Sequence, residues 1–383
     1  MKNKVILWVL ICTLGISAYG SNGSKMIGQT TRSSGMGGSG IAINEDVSSS
    51  DSNPASLSYI EGSVLQFDLG LISPKTSFEG PNQKINGESM IIPLPSFSYA
   101  HRVENSDLVL GISLIGEGGL GTEYNSGVLN QKFSSDLAYA TLNFTAAYKI
   151  NDKWSVGVTP YLSYSAMNME IGNQIKLEEM KASGYGIKIG TIYSINERWN
   201  VALKYTVEDQ LDYEGKYYAI GSNEGSAETN LSWPSELALG TSYKLTEKLL
   251  LAADIKFIDW SNAMKSMDIK LEGAKDQSIP LDWKDQIVYA IGLEYSATEK
   301  IKLRAGYNYG ANPIPSATVM PILSLITEHH ITAGIGYEYS ENLTVNGSLE
   351  YAFNNNQKNT KSLIGGTSET GITIGSLGIS YKL

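Results

Sequence analysis

The sequence predicts an all-β fold: a fourteen-stranded antiparallel transmembrane β-barrel with an N-terminal hatch, or plug, inside its lumen. Three observations carry that prediction. The chain opens with an export leader, most of the remainder alternates apolar and polar residues with a period of two, and near-identical short turns recur along it.

The leader is read first because it sets the compartment. Lys2 and Lys4 form a basic start, Val5 to Ile16 is an apolar run, and Ala18-Tyr19-Gly20 supplies small residues where a signal peptidase reads. The run is too short to span a bilayer as a helix. Ile11 before Cys12 argues against a lipoprotein, so residues 1–20 are expected to be a cleaved signal peptide, ending near Gly20. Cys12, the single cysteine, leaves with it, which excludes disulfides, thiol catalysis and cysteine metal sites from the mature chain. Loss of Lys2 and Lys4 takes the net charge from −10 to −12. An acidic, arginine-poor chain is a poor nucleic-acid binder, since phosphate neutralisation needs clustered Lys and Arg.

Composition then points to lipid rather than water. Charged residues are 18%, below the roughly 25% of soluble domains, and Tyr outnumbers Phe by 23 to 7. No later apolar stretch approaches the roughly 20 residues of a membrane helix. The alternation supplies the other route across a membrane. Leu249, Leu251, Ala253, Ile255 and Phe257 share a face opposite Asp254 and Lys256. Tyr289, Ile291, Leu293 and Tyr295 oppose Gln286 and Glu294. Ile301, Leu303, Ala305, Tyr307 and Tyr309 oppose Lys302, Arg304 and Asn308, and Ile331 to Tyr339 repeats the scheme against His330, Thr332 and Glu338. One apolar face with tyrosines near its ends, and one polar, glycine-containing face, is what lipid outside and a lumen inside require.

The turns give the count. Asn151-Asp152-Lys153, Asn196-Glu197-Arg198, Thr246-Glu247-Lys248, Thr298-Glu299-Lys300 and Ser340-Glu341-Asn342 recur about every 43 to 52 residues, with two strands and a longer polar loop between them. Short turns lie on the periplasmic side of such barrels. Strands are expected near 64–74, 89–102, 107–118, 136–149, 154–167, 182–195, 199–208, 236–245, 249–259, 285–297, 301–310, 328–339, 343–353 and 372–383. Fourteen is even, which puts both termini in the periplasm and the barrel at residues 61–383. The last strand carries Tyr381 and Leu383 outward and is similar to the C-terminal signal read by barrel assembly machinery.

Residues 21–60 do not alternate. Ser33 to Gly40 is rich in glycine and serine, and Asn53-Pro54-Ala55 fixes a turn. Composition alone leaves two readings, a luminal plug or a periplasmic tail. Gly35-Met36-Gly37-Gly38-Ser39-Gly40-Ile41-Ala42, then Glu45-Asp46, then Asn53-Pro54-Ala55-Ser56-Leu57, resembles the hatch of the FadL/TodX family of outer-membrane transporters of long-chain fatty acids and other hydrocarbons. Further resemblances lie in Trp233-Pro234-Ser235-Glu236-Leu237 with Asp259-Trp260-Ser261, and in Leu303-Arg304-Ala305-Gly306-Tyr307 with Asn312-Pro313-Ile314-Pro315. They run in order from about residue 28 to the C-terminus. Ser56 departs from the family's commoner glycine, and the loops 209–235 and 260–284 match no motif.

The resemblance implies passive uptake of hydrophobic molecules by a monomer with no cofactor, past a hatch gated around Gly35, Gly37, Gly38, Asp46, Asn53, Pro54 and Ala55. It also implies a sideways exit near a distorted early strand. Gly111, Gly116, Gly118 and Gly119 crowd the third strand here, and glycine in strands marks bulges and kinks; a merely twisted strand is the other reading. The inward charges Asp254, Lys256, Glu294, Lys302, Arg304, Glu338 and Glu350 either pin the hatch or line a water channel. A general porin or an adhesin is the alternative function. An enzyme is disfavoured: the histidines are His101, His329 and His330, the last two adjacent on a strand and so on opposite faces, and no triad or metal spacing is legible.

Overall fold

The computed structural model describes residues 21–43, 49–80, 83–128, 131–172, 174–219, 223–361 and 365–383. The predicted leader with Cys12, and Asp46, lie outside these residues.

Fourteen strands make the wall. They are β1 (Ser63–Glu79), β2 (Ile92–Arg102), β3 (Leu108–Val128), β4 (Gln131–Lys149), β5 (Trp154–Ile171), β6 (Ile175–Asn196) and β7 (Trp199–Thr206, resuming as Asp209–Ala219). Then follow β8 (Asn223–Trp233, resuming as Glu236–Thr246), β9 (Leu249–Ile258), β10 (Gln286–Ser296), β11 (Ile301–Gly310), β12 (His329–Glu338), β13 (Leu343–Lys358) and β14 (Thr367–Lys382). Consecutive strands pair antiparallel, and β14 closes on β1 from Val64↔Lys382 to Glu79↔Thr367.

The faces separate as the period of two dictates. Ile255, Phe257, Tyr289, Ile291, Leu293, Leu303 and Ile331 are exposed on the outer surface, whereas Asp254, Glu294, Arg304, Asn308 and His330 are buried inside. Such inversion suits a wall whose outer solvent is hydrocarbon. Tyr148, Trp154, Tyr193, Trp199, Tyr243, Tyr295, Tyr337 and Tyr381 form an exposed girdle beside the short turns. The two indoles find partners: Trp154 donates to Thr191 Oγ1 (2.7 Å) and Trp199 to Thr241 Oγ1 (2.9 Å).

The turns share one device. A side-chain oxygen at the first position accepts backbone N–H groups two or three residues on: Asn151 from Lys153 and Trp154, Asn196 from Arg198, Thr246 from Lys248, Thr298 from Lys300 and Ile301, and Ser340 from Asn342 and Leu343. Asn, Thr and Ser recur there because each closes the loop locally.

At the opposite end the strands run further than the sequence suggests. β3 reaches Val128 rather than 118, β6 begins at Ile175 and β14 at Thr367. The stretch 209–235, read as a loop, is a hairpin that prolongs β7 and β8, paired from Asn223↔Ala219 to Trp233↔Asp209. The 260–284 stretch holds a helical turn (Trp260–Ala263) and two short strands, Ser266–Leu271 and Gln277–Pro280. This end is filled by the main apolar core, which includes Leu120, Tyr139, Met167, Trp233, Met264, Trp283 and Ile326.

Candidate functional site

Residues 21–43 and 49–60 lie inside the barrel, and their local chemistry sets their path. Thr30 and Ser33 cap each other's backbone N–H groups to start a single helical turn, Thr31–Gly35. Gly37 and Gly38 then take left-handed φ values of +68° and +74°, a reversal that glycine makes without steric cost. Asn53 caps a 3₁₀ turn, Pro54–Tyr59, accepting from the Ala55 N–H at 3.0 Å. The fixed φ of Pro54 suits that first turn.

Inward wall side chains hold this path at almost every step. Thr31 N–H donates to Asp68 Oδ1 (2.9 Å), and Gly37 N–H to Thr332 Oγ1 (2.9 Å), while Asn308 Nδ2 donates to Gly37 O (3.0 Å). Asp254 Oδ2 accepts from the N–H groups of Gly40 (2.7 Å) and Ile41 (3.2 Å), and Lys256 donates to Gly38 O (2.9 Å). Asn53 Nδ2 bridges Ile41 O and Thr191 O, joining the two halves of the segment to β6. Of the inward charges read from the sequence, Asp254, Lys256, Glu294 and Glu350 touch the segment directly; Glu350 accepts from Ser21 Oγ at 3.2 Å. Arg304 reaches it through Glu294, and Lys302 and Glu338 instead pair with each other at 3.5 Å.

Close approach explains the inward glycines. A Cβ at Gly306 would overlap the backbone of Met36 and Gly37, one at Gly292 would lie 2.6 Å from Met36 O, and one at Gly334 would lie 3.1 Å from Gly35. Gly157 and Gly190 leave the same room for Pro54, Ala55 and Asn53. Gly35, Gly37, Asn53, Pro54 and Ala55 are therefore all brought against the wall. The wall glycines facing them were visible in the sequence on the polar face, but nothing there assigned them a partner.

The third strand carries an interruption. Its ladder with β4 slips between Gly116 and Gly118, where Glu117 is the extra residue. Its ladder with β2 runs only from Phe97↔Leu114 to Arg102↔Val109. Beyond that, Glu88 N–H donates to Glu123 O from the β2 side. The luminal segment meets this bulge from within: Met26 N–H donates to Glu117 O (3.1 Å), and Gly119 N–H to Ser24 O (2.9 Å). Gly118 leaves room for the Ser24 carbonyl and Gly116 for Leu94, whereas Gly111 lies in regular ladder against Leu57. Glu117 is held by Lys188 and by Thr141 Oγ1 (2.8 Å), and Glu236 by Lys25 (2.8 Å) and Lys204 (3.1 Å). Glu117 escaped the sequence reading because a lone acid among glycines has no periodic signature.

Directly above lies the aromatic part of that apolar core. Tyr139 stacks on Trp233 (centroids 4.2 Å apart), and Trp233, Trp260 and Trp283 continue edge to face, with Gly23 beneath Trp260. Beside them a gap of about 30 Å³, room for one or two waters by volume, is lined by Ser24, Leu120, Leu137, Met169, Met264 and Trp283 among others. A larger recess of about 780 Å³ opens at the short-turn side, rimmed by polar residues such as Asn196, Arg198, Asn200 and Lys244. The luminal segment separates the two. Among the described residues no group of three or more His, Cys, Asp or Glu is placed to hold a metal.

A lipid-facing barrel filled by its own N-terminal segment and capped by an apolar core defines a plugged membrane conduit. The description of the outer membrane protein transport proteins (OMPP1/FadL/TodX) matches residues 14–376. Outer membrane protein P1 of Haemophilus influenzae is 24% identical over 296 residues, which span 65% of this chain and 63% of that protein. The long-chain fatty acid transport protein of Salmonella typhi is 20% identical over 370 residues, 83% of this chain and 85% of that one. The crystal structure of the Pseudomonas putida toluene transporter TodX has the same fold, with a TM-score of 0.79 at 20% identity over 94% of this chain and 100% of its own. The chain belongs to the FadL/TodX family of outer-membrane transporters.

Proposed function

We propose that this protein carries hydrophobic small molecules, the class that includes long-chain fatty acids and hydrocarbons, passively across the outer membrane. The observation that carries the reading is the position of the apolar, aromatic-rich core, seated on the luminal segment and beside the interrupted β3. Apolar solutes gain little from a water-filled pore, whereas apolar surroundings stabilise them. In this account residues 1–20 are removed as a signal peptide, residues 21–60 act as the hatch and residues 61–383 as the barrel. Gly35, Gly37, Gly38, Asn53, Pro54 and Ala55 let the hatch seat, with Asp46 as a further partner. Gly111, Gly116, Gly118 and Gly119 shape the wall where ligand leaves sideways into the membrane. The protein works as a monomer, without cofactor, catalysis or nucleic acid, after insertion by barrel assembly machinery through β14. The names of the Salmonella typhi and Pseudomonas putida relatives support the substrate class.

Uptake of labelled oleate and toluene by outer membranes carrying or lacking the protein tests this. The account expects protein-dependent entry of at least one of them. Failure of both would favour a porin or an adhesin.

A further inference from the structure

One inward acid is held differently from the others. Glu117, Glu236 and Glu294 each meet a lysine or an arginine, and Asp254 accepts two backbone N–H groups. Glu350, on β13 and only 1% exposed, has neither. Its Oε1 accepts from the Ser21 hydroxyl at 3.2 Å, while its Oε2 is buried with no hydrogen-bond partner among the described residues. Directly across its two ladders stand Thr332 and Ile374, both uncharged. A carboxylate buried without a cation is strongly disfavoured, so this position calls for one.

Residue 21 can supply it. Ser21 is buried, its carbonyl accepts from Thr327 Oγ1 (3.3 Å), and its backbone N–H donates to Lys25 O (2.8 Å). As a peptide amide that nitrogen has one hydrogen, and Lys25 O takes it. Hydrolysis of the bond between Gly20 and Ser21 consumes one water and leaves a carboxylate on the leader and an amine on Ser21. An α-amine is protonated at neutral pH. Like a lysine head it then has three donors, one for Lys25 O and two to spare. The nitrogen stands three bonds from the Ser21 hydroxyl oxygen, hence within about 4 Å of it, and that oxygen already touches Glu350.

The residues that follow form a strap across the lumen. Ser24 O accepts from Gly119 N–H (2.9 Å), Lys25 pairs with Glu236 (2.8 Å), and Met26 N–H donates to Glu117 O (3.1 Å). One end of residues 21–26 therefore fills the β3 bulge, and the other rests on β13 beside Glu350.

Resting on the removal of residues 1–20 read above, we propose that Glu350 is the wall receptor for the processed N-terminus. Its carboxylate pairs with the Ser21 α-ammonium and so positions the strap against the β3 bulge.

The test starts with N-terminal sequencing of the protein purified from outer membranes, which should begin at Ser21. Acetylation of the α-amine at pH 7, followed by mass spectrometry, should be slow in the folded native protein and at least about tenfold faster in Glu350→Gln. Glutamine keeps an acceptor for the Ser21 hydroxyl, so a merely structural hydrogen bond would leave the rate unmoved. Inserting Ser-Gly ahead of Ser21 moves the amine without touching the wall. Amide exchange over residues 22–26 should rise in either variant, and the two changes together should do no more than the insertion alone. Equal acetylation in native protein and Glu350→Gln, or additive effects on exchange, would overturn this inference and leave leader removal and transport standing. If Glu350→Gln fails to fold, the insertion alone decides: unchanged exchange over residues 22–26 overturns the inference. A first residue other than Ser21 would overturn the leader boundary and this inference together, with the uptake measurement untouched.

Discussion

Arg32 of the luminal segment grips Glu294 of the wall with two parallel bonds, Nε at 3.1 Å and Nη2 at 3.0 Å. Arg304 Nε shares the same carboxylate at 2.6 Å. The pair is buried and bidentate, so it specifies orientation as well as attraction. Glu294→Ala leaves two guanidinium groups facing each other and should cost about 3–5 kcal/mol. Arg32→Ala should cost less, because Arg304 still neutralises the acid. Hydrogen exchange over residues 30–43 checks this: faster exchange there in Glu294→Ala, against an unchanged wall, is expected. Equal protection in both variants and the native protein would refute the pinning role.

Asn53 ties two stretches of the segment to β6 and caps the turn that follows. Asn53→Ala removes three bonds and leaves buried carbonyls unmet, for a cost of about 1–3 kcal/mol. The measurement is again exchange, now at residues 53–60, where accelerated exchange is expected. An unaffected Ala55 amide would contradict the capping account.

Gly306 sits where the wall touches the Met36–Gly37 backbone, while a Cβ at Gly375 would meet nothing within 4 Å. Gly306→Ala should therefore dislodge the segment and expose Arg32 to limited trypsin digestion, and Gly375→Ala should do nothing. Equal resistance in both would show that the glycine is dispensable.

At the β3 bulge, Gly116→Val and Gly118→Val should lower uptake of whichever solute the native protein carries, with the barrel still folded. A Cβ at Gly118 collides with the Ser24 carbonyl, and one at Gly116 with Leu94. Unchanged uptake would end the case for lateral exit there.

The wall was legible because lipid imposes a period of two, and because each short turn needs a side-chain oxygen at its start. Above the membrane the same signal inverts. In the 209–219 strand Leu211, Tyr213 and Tyr217 point inward and Asp212, Glu214 and Lys216 outward. A search for apolar residues facing lipid reads that stretch as loop. The luminal segment was legible as special backbone, through Gly37, Gly38 and Asn53-Pro54. Its partners were not, since Arg32 and Glu294 lie 262 residues apart and nothing local joins them. The apolar core above the segment drew on both failures: it rests on the segment and is built from the inverted strand extensions.

The central claim is that residues 21–60 close a barrel that would otherwise conduct. Single-channel recording in planar bilayers tests it most directly, comparing the intact protein with a variant lacking residues 21–52. The account predicts a silent intact protein and a steady open current after deletion. A large, steady current through the intact protein, unchanged by the deletion, would contradict it.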